Sequence, residues 1–284
     1  MPAPGPFDAD PDERARREDL DPLATLVADR RRAALARRGD ASADGWIVAV
    51  AGGVASGKST IARGLAQALR ARGIGPVVHV STDGYLFSNA ELERRGLTAR
   101  KGFPETYDTP ALLDLLRAVR AGDRAVRVPT YSHRVQDIVP DDATVVDRPA
   151  VLVLEGLRAL AGPLLADPSD GASRPVDPSA DRAPGVADLV DLGIYVDAAE
   201  DDARAWYLER FRAWRVAAAD DPGALLHRIA DMPDADADAL ALRVWDETNA
   251  PNVRDHVLPT RDRADVVLQK GPDHRIEQVL VRPV

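Results

Sequence analysis

Residues 52–59 read Gly52-Gly53-Val54-Ala55-Ser56-Gly57-Lys58-Ser59 and fit the pattern G-x-x-x-x-G-K-[ST] at every fixed position. Few short motifs restrict a fold so tightly, because the loop works only between a strand and a helix. Trp46-Ile47-Val48-Ala49-Val50-Ala51 supplies an apolar run of strand length before it. After it, Ile61, Ala62, Leu65, Ala66 and Leu69 recur at helical spacing, and Gly73 reads as the stop. Such a turn aims backbone N–H groups and a helix N-terminus at an anion. Lys58 is expected to reach the β- and γ-phosphates of a nucleotide, and Ser59 to hold Mg²⁺. Of the 37 basic residues only Lys58, Lys101 and Lys270 are lysine, so a lysine in the loop marks a place that needs a compact ammonium.

The remaining pattern extends this start into an α/β chain. Asp21-Pro22 reads as an N-cap followed by proline at the first helical position. Leu23, Leu26, Val27, Ala34 and Leu35 form a weak apolar stripe, and Gly39 closes the helix. Strands are expected at 76–80, 126–131, 150–154, 189–196, 265–269 and 276–282. Helices are expected at 109–119, 199–218, 222–231 and 235–248, with a turn at Pro251. The continuous apolar run Ala150-Val151-Leu152-Val153-Leu154 is that of a strand buried on both faces. Strands alternating with helices imply a mostly parallel sheet with helices on both faces. Residues 1–45 read as an N-terminal extension, disordered at first and then helical, and 46–284 as one domain with a long surface loop at 162–187.

Composition excludes several classes. A net charge of −9 argues against a protein devoted to nucleic acid. The absence of cysteine removes disulfides, thiol catalysis and thiolate metal sites. Neither a secretory leader nor an apolar run of membrane-spanning length is visible, so the chain reads as soluble and cytoplasmic. A guanine-specificity motif N-K-x-D is absent, which weakens a GTPase reading.

Ligands of open α/β sheets bind beyond the carboxyl ends of the strands. Asp83 follows the second expected strand there, and Glu155 ends the buried apolar one. Phosphoryl transfer to a hydroxyl requires a phosphate cradle, a metal and a carboxylate near the attacking oxygen. Asp83 is the candidate general base or hydroxyl-orienting group, and Glu155 a candidate Mg²⁺ holder, directly or through water. Either carboxylate could instead cap the turn that follows its strand. Tyr131 and His133 lie in a turn after a short strand, where packing and function are equally compatible with composition. The helix bearing Tyr207, Arg210, Phe211 and Trp214 suits either a core face or a lid that closes an arginine over a phosphoryl group.

Ser81-Thr82-Asp83-Gly84-Tyr85-Leu86, Lys101-Gly102-Phe103-Pro104-Glu105-Thr106-Tyr107-Asp108, Tyr131-Ser132-His133, Leu154-Glu155-Gly156-Leu157, Trp206-Tyr207-Leu208-Glu209-Arg210-Phe211 and Leu258-Pro259-Thr260-Arg261 closely resemble the bacterial type I pantothenate kinases, in register from about 46 to 282. The family is related to uridine kinase and phosphoribulokinase. The resemblance implies a P-loop NTPase-type fold with a helical lid or substrate cover, and ATP-dependent phosphorylation of pantothenate's primary hydroxyl on the way to coenzyme A. It makes Asp83 the catalytic carboxylate, with Lys58 and Arg210 in the catalytic group. Tyr131, Tyr207, Arg210 and Asn249 then line the pantothenate pocket. Residues 52–59 with Thr60 bind the nucleotide, Arg63, Lys101 and His133 match positions handling ATP or the competing inhibitor coenzyme A, and His274 matches one beside the adenine. It further implies a homodimer formed through the helix after the loop. Ala219, Leu225, Leu226 and Ile229 stand where the family commonly has aromatic or larger side chains, so the pocket cover has either repacked around aliphatics or opened. Arg158 stands where asparagine is usual. The competing readings are a uridine kinase-like or phosphoribulokinase-like enzyme acting on another small alcohol, a P-loop regulatory module, and a non-catalytic nucleotide-binding paralogue.

Overall fold

A computed structural model describes residues 20–38, 45–163 and 184–283. The expectations for residues 1–19, for Gly39 and for most of the 162–187 loop lie outside the described residues. A six-stranded sheet forms the middle layer, in the order β2-β5-β1-β6-β7-β8. Its strands are β1 (Trp46–Gly52), β2 (Val77–Ser81), β5 (Val151–Glu155), β6 (Leu192–Ala198), β7 (Val266–Lys270) and β8 (Ile276–Val281). Every neighbouring pair is parallel except β7 with β8, so the sheet is mostly parallel, as its alternation with helices required.

Strand alternation divides the core into two layers. From β1, Trp46, Val48 and Val50 pack with Ile61, Leu65 and Leu69 of α2 (Lys58–Ala71) and with Leu23 and Val27 of α1 (Asp21–Arg38). Ile47, Ala49 and Ala51 face the other way, onto Leu112, Leu116 and Val119 of α4 (Thr109–Ala121). All five residues of β5 are buried, which explains why its run is apolar without alternation. Asp108 caps α4 by accepting from the Ala111 N–H at 3.0 Å, and Gly122 ends it in the left-handed conformation.

The structure departs from expectation in four places. The short helix α3 (Asn89–Arg94) was not expected; its start is marked by the Ser88 side chain, which accepts from the Glu91 N–H. Strand β3 (Val126–Ser132) does not join the main sheet but pairs with an unexpected strand, β4 (Asp137–Val146), in a separate antiparallel hairpin. The helix expected at 222–231 is reduced to a 3₁₀ segment at Leu225–Ile229, between α5 (Glu200–Ala218) and α6 (Asp234–Val244). Pro251 makes no turn. The chain after α6 stays helical through two π segments, Trp245–Asn249 and Val253–Val257, which flank it. Proline offers no N–H and crowds the carbonyl four residues back; the wider π turn relieves both demands.

Gly156, just past β5, brings two strand ends together. Its φ is +140°, and a Cβ there would lie 1.9 Å from Thr82 Oγ1, beyond the end of β2. Gly156→Ala therefore combines backbone strain with a steric clash between the segments carrying Glu155 and Asp83. We expect a loss of about 1–3 kcal/mol in a denaturant titration, together with reduced activity in the fraction that remains folded.

Candidate active site

The site is assembled at the carboxyl ends of β1, β2 and β5. In register, Glu155 lies between Val50 of β1 and Ser81 of β2. The loop leaves β1 and turns into α2 through Gly57, whose φ is +86°. Lys58 Nζ donates to the Gly53 carbonyl at 2.9 Å, and Ser59 Oγ donates to Glu155 Oε1 at 3.1 Å. Asp83 sits in the 3₁₀ turn after β2, where its N–H donates to Ser81 Oγ. Tyr107 donates to Asp83 Oδ1 at 3.4 Å.

Four charges share this crevice. Burial pushes the Lys58 ammonium below its usual pKa; Glu155 and Asp83 oppose that shift, while Arg210 reinforces it. Burial raises the Glu155 carboxyl, with Asp83 acting in the same direction and Lys58 and the Ser81 and Ser59 hydrogen bonds acting against it. Arg210 is lowered by burial and supported by Tyr207 and Asp83, and its Nε has no hydrogen-bond partner. The structure thus brings Lys58, Asp83, Glu155 and Arg210 together, from four separate stretches of sequence.

A second group of residues adjoins Asp83. The Arg210 guanidinium lies 4.8 Å from the Trp214 ring centre, Trp214 stacks on His133 at 5.3 Å, and His133 meets Tyr131 edge-on at 5.3 Å. Lys101 Nζ lies 5.2 Å from the Tyr131 ring centre and donates to Asn89 Oδ1 and the Gln136 carbonyl. Burial lowers its pKa, while Asp137 and Asp83 counter that shift. Tyr207 shares a hydrogen bond with Asn249, the last residue of the first π turn. Lys101 and His133 therefore stand with the Tyr131 group. Arg63, one turn along α2 from Ser59, acts instead on His79.

Of the four positions expected to form the pocket cover, Leu226 and Ile229 join apolar clusters, whereas Ala219 is exposed and Leu225 belongs to none. Leu226 packs with Trp214, Ala218 and Ala224, and together with Ile229 and Met232 it also covers Phe211. In α5, Trp206 and Phe211 are buried while Tyr207, Arg210 and Trp214 are half-buried, so this helix serves as core and site wall at once. Arg158, at 6% exposure, lies against Tyr107 and Glu105 with its Nε unpartnered.

Sequence reasoning missed three contributors. Tyr107 carries no signal of a role in the sequence; its contact with Asp83 needs the fold. His79 places Nε2 3.9 Å from Glu155 Oε1, too far for a hydrogen bond. Lys270, at 7% exposure, donates to the Ser56 carbonyl inside the loop at 3.1 Å. The scarcity of lysine was a usable signal for it: all three lysines meet the site. His274 stacks on Trp206 at 4.2 Å and lines a narrow crevice with Gly57, Thr60 and Lys270. Among the described residues no group of three or more His, Cys, Asp or Glu could hold a metal by itself. The Ser59–Glu155 pair suits Mg²⁺, which takes one or two protein oxygens and completes its shell with water and phosphate. No described helix is long and apolar enough to cross a membrane.

Burial, with Arg63 and Arg70 adding to it, lowers the His79 pKa from 6.5 to about 4. Between those values the unfolded chain binds a proton that the folded chain does not, so stability falls as pH drops from 6.5 towards 4. His79→Gln is expected to flatten that part of the pH–melting curve, recovering at most about 3 kcal/mol at the acid end.

Comparison with known proteins agrees with this geometry. The model of the phosphoribulokinase/uridine kinase family matches residues 47–277. A pantothenate kinase of Rhodopseudomonas palustris (strain BisB18) is 47% identical over 239 residues, covering 84% of this chain and 72% of that protein. One from Rhizobium etli (strain CIAT 652) is 44% identical over 238 residues, covering 84% and 69%. Among solved structures, D-glycerate 3-kinase from Cryptococcus neoformans superposes with a TM-score of 0.61 at 14% identity, covering 92% of this chain and 99% of that one. Phosphoribulokinase from Rhodobacter spheroides gives 0.50 at 19% identity, covering 81% and 71%. These two likenesses concern the fold alone. With most of its length matched by the family model and by relatives 44–47% identical, the chain belongs to the pantothenate kinases of the phosphoribulokinase/uridine kinase family.

Proposed function

We propose that this protein transfers the γ-phosphoryl group of ATP to the primary hydroxyl of pantothenate, the first step towards coenzyme A. The observation that carries this reading is the placement of Asp83 beside the phosphate loop, within the field of Lys58 and Arg210, in a chain whose relatives are named pantothenate kinases. Asp83 orients the hydroxyl and accepts its proton as the oxygen attacks. Lys58 and Arg210 stabilise negative charge on the transferring group, in a crevice where burial strengthens each interaction. Ser59 and Glu155 are the residues that would hold Mg²⁺, which neutralises phosphate charge when bound. Tyr131, Tyr207 and Asn249 orient the remainder of the alcohol, a positioning contribution that needs no chemistry of its own.

The aliphatic cover formed by Leu226, Ile229 and Met232 supports retention of pantothenate rather than a longer amide, because an opened cover would leave Phe211 and Trp214 bare. The family resemblance at Arg63, Lys101 and His133 alone supports coenzyme A as an inhibitor that competes with ATP, since the fold sets Arg63 apart from the other two. The cytoplasm is the compartment consistent with such a substrate.

The direct test is ATP consumption with pantothenate, an extended pantothenamide and uridine, compared as kcat/KM. Pantothenate is expected to be preferred, and efficient turnover of uridine alone would overturn the proposal. Lys58→Met should lower kcat by at least about 10²–10³-fold with an unchanged melting curve. Asp83→Asn should lower kcat by about 10²–10⁴-fold while the Kd for ATP moves little; a large rise in that Kd would place Asp83 in the nucleotide site instead. Coenzyme A titrated at low and high ATP should inhibit less at high ATP.

A further inference from the structure

We infer that Lys270 is a positioning residue for ATP: from behind the phosphate loop it fixes the peptide plane that aims the Gly57 N–H at the nucleotide. The inference rests on the reading of the loop as an ATP site and adds a residue to it. Lys270 ends β7 and is 7% exposed. Its ammonium donates to the Ser56 carbonyl at 3.1 Å. In a trans peptide the carbonyl of one residue and the N–H of the next point in opposite directions. Holding the Ser56 carbonyl towards Lys270 therefore turns the Gly57 N–H to the opposite side of the loop. Gly57 is the last residue before α2, so this N–H belongs to the set that a helix N-terminus offers to an anion.

Two further observations explain why a lysine stands here. A Cβ at Gly57 would come within 2.7 Å of Lys270 Nζ, so the ammonium occupies the space that the glycine leaves free. A planar guanidinium is bulkier, and in a chain with 34 arginines and three lysines the exception falls where the fit is tight. The ammonium also lies 4.9 Å from the Trp206 ring centre, and Trp206 donates through Nε1 to the Pro272 carbonyl at 3.2 Å. Trp206 immediately precedes Tyr207 in α5, so Lys270 joins the nucleotide loop to the helix that carries Tyr207 and Arg210.

The absence of cysteine makes a clean test available. Lys270→Cys removes the ammonium, and aminoethylation with 2-bromoethylamine in denaturant, followed by refolding, restores a near-isosteric one at that position alone. Wild-type chain taken through the same cycle is the control. The Kd for MgATP, measured by calorimetry, is expected to rise about tenfold in Lys270→Cys, the size of one lost charge-assisted hydrogen bond. Aminoethylation should return it to within about threefold of the control, and the KM for pantothenate should stay unchanged throughout. An unchanged Kd for MgATP in Lys270→Cys would overturn the inference, as would a raised Kd that aminoethylation does not restore. A Lys270→Cys chain that refolds only after aminoethylation would make Lys270 a folding residue, and that too would overturn it. Wild-type protein that binds no ATP would instead overturn the kinase reading on which the inference depends.

Discussion

The hydrogen bond from Ser59 to Glu155 ties together the first turn of α2 and the end of the inner strand β5. It is possible only because β5 lies between β1 and β2, with Glu155 in register beside Ser81 and Val50. Around that bond the chain concentrates charges that a protein interior ordinarily excludes. Lys58, Glu155 and Arg210 each lose hydration there, and for each the opposite charges nearby partly offset that loss. An isolated buried charge is costly, whereas a set with balanced signs is tolerable if rigid elements hold it. The two apolar layers on either face of the sheet provide that rigidity.

The same arrangement explains the site's division of labour. The residues proposed to handle phosphate belong to the loop and α2, anchored by the sheet. The residues proposed to face the alcohol come from the β3–β4 hairpin, α5 and the π-distorted helix after α6, which are joined to one another through aromatic contacts. Asp83 is where the two sets meet: Tyr107 donates to it, and its charge acts on both Lys58 and Lys101. A carboxylate at such a junction can act on an incoming hydroxyl while leaving the phosphate cradle intact.

Some of this was open to a reader of the residues alone. The loop was, because its spacing reflects backbone demands that no other arrangement meets. So were β1, β5, α2 and α4, where the apolar pattern and its boundaries agree, although the cap at Asp108 was seen only in the fold. Asp83 and Glu155 stand out as candidates because strand ends are where this class of sheet places its chemistry. Pro251 misled because proline normally ends a helix, and only the neighbouring π turns show how this one continues. The β3–β4 hairpin escaped notice because Asp137–Val146 lacks a clean alternation and its partner reads like any short strand.

By itself the sequence determined what is local: a strand–loop–helix phosphate cradle, the apolar periods of the sheet and its helices, and a chemistry without thiols. Tertiary structure decided what is distant in the chain. It set His79 against Glu155, Tyr107 against Asp83, and Lys270 against Ser56, across separations that no periodicity encodes. It also packed Leu226 beside Trp214, and Leu226, Ile229 and Met232 beside Phe211. The physical reason is the same in each case. A backbone conformation depends on near neighbours, whereas burial, and with it the charge state and partner of a side chain, depends on which remote segments pack around it.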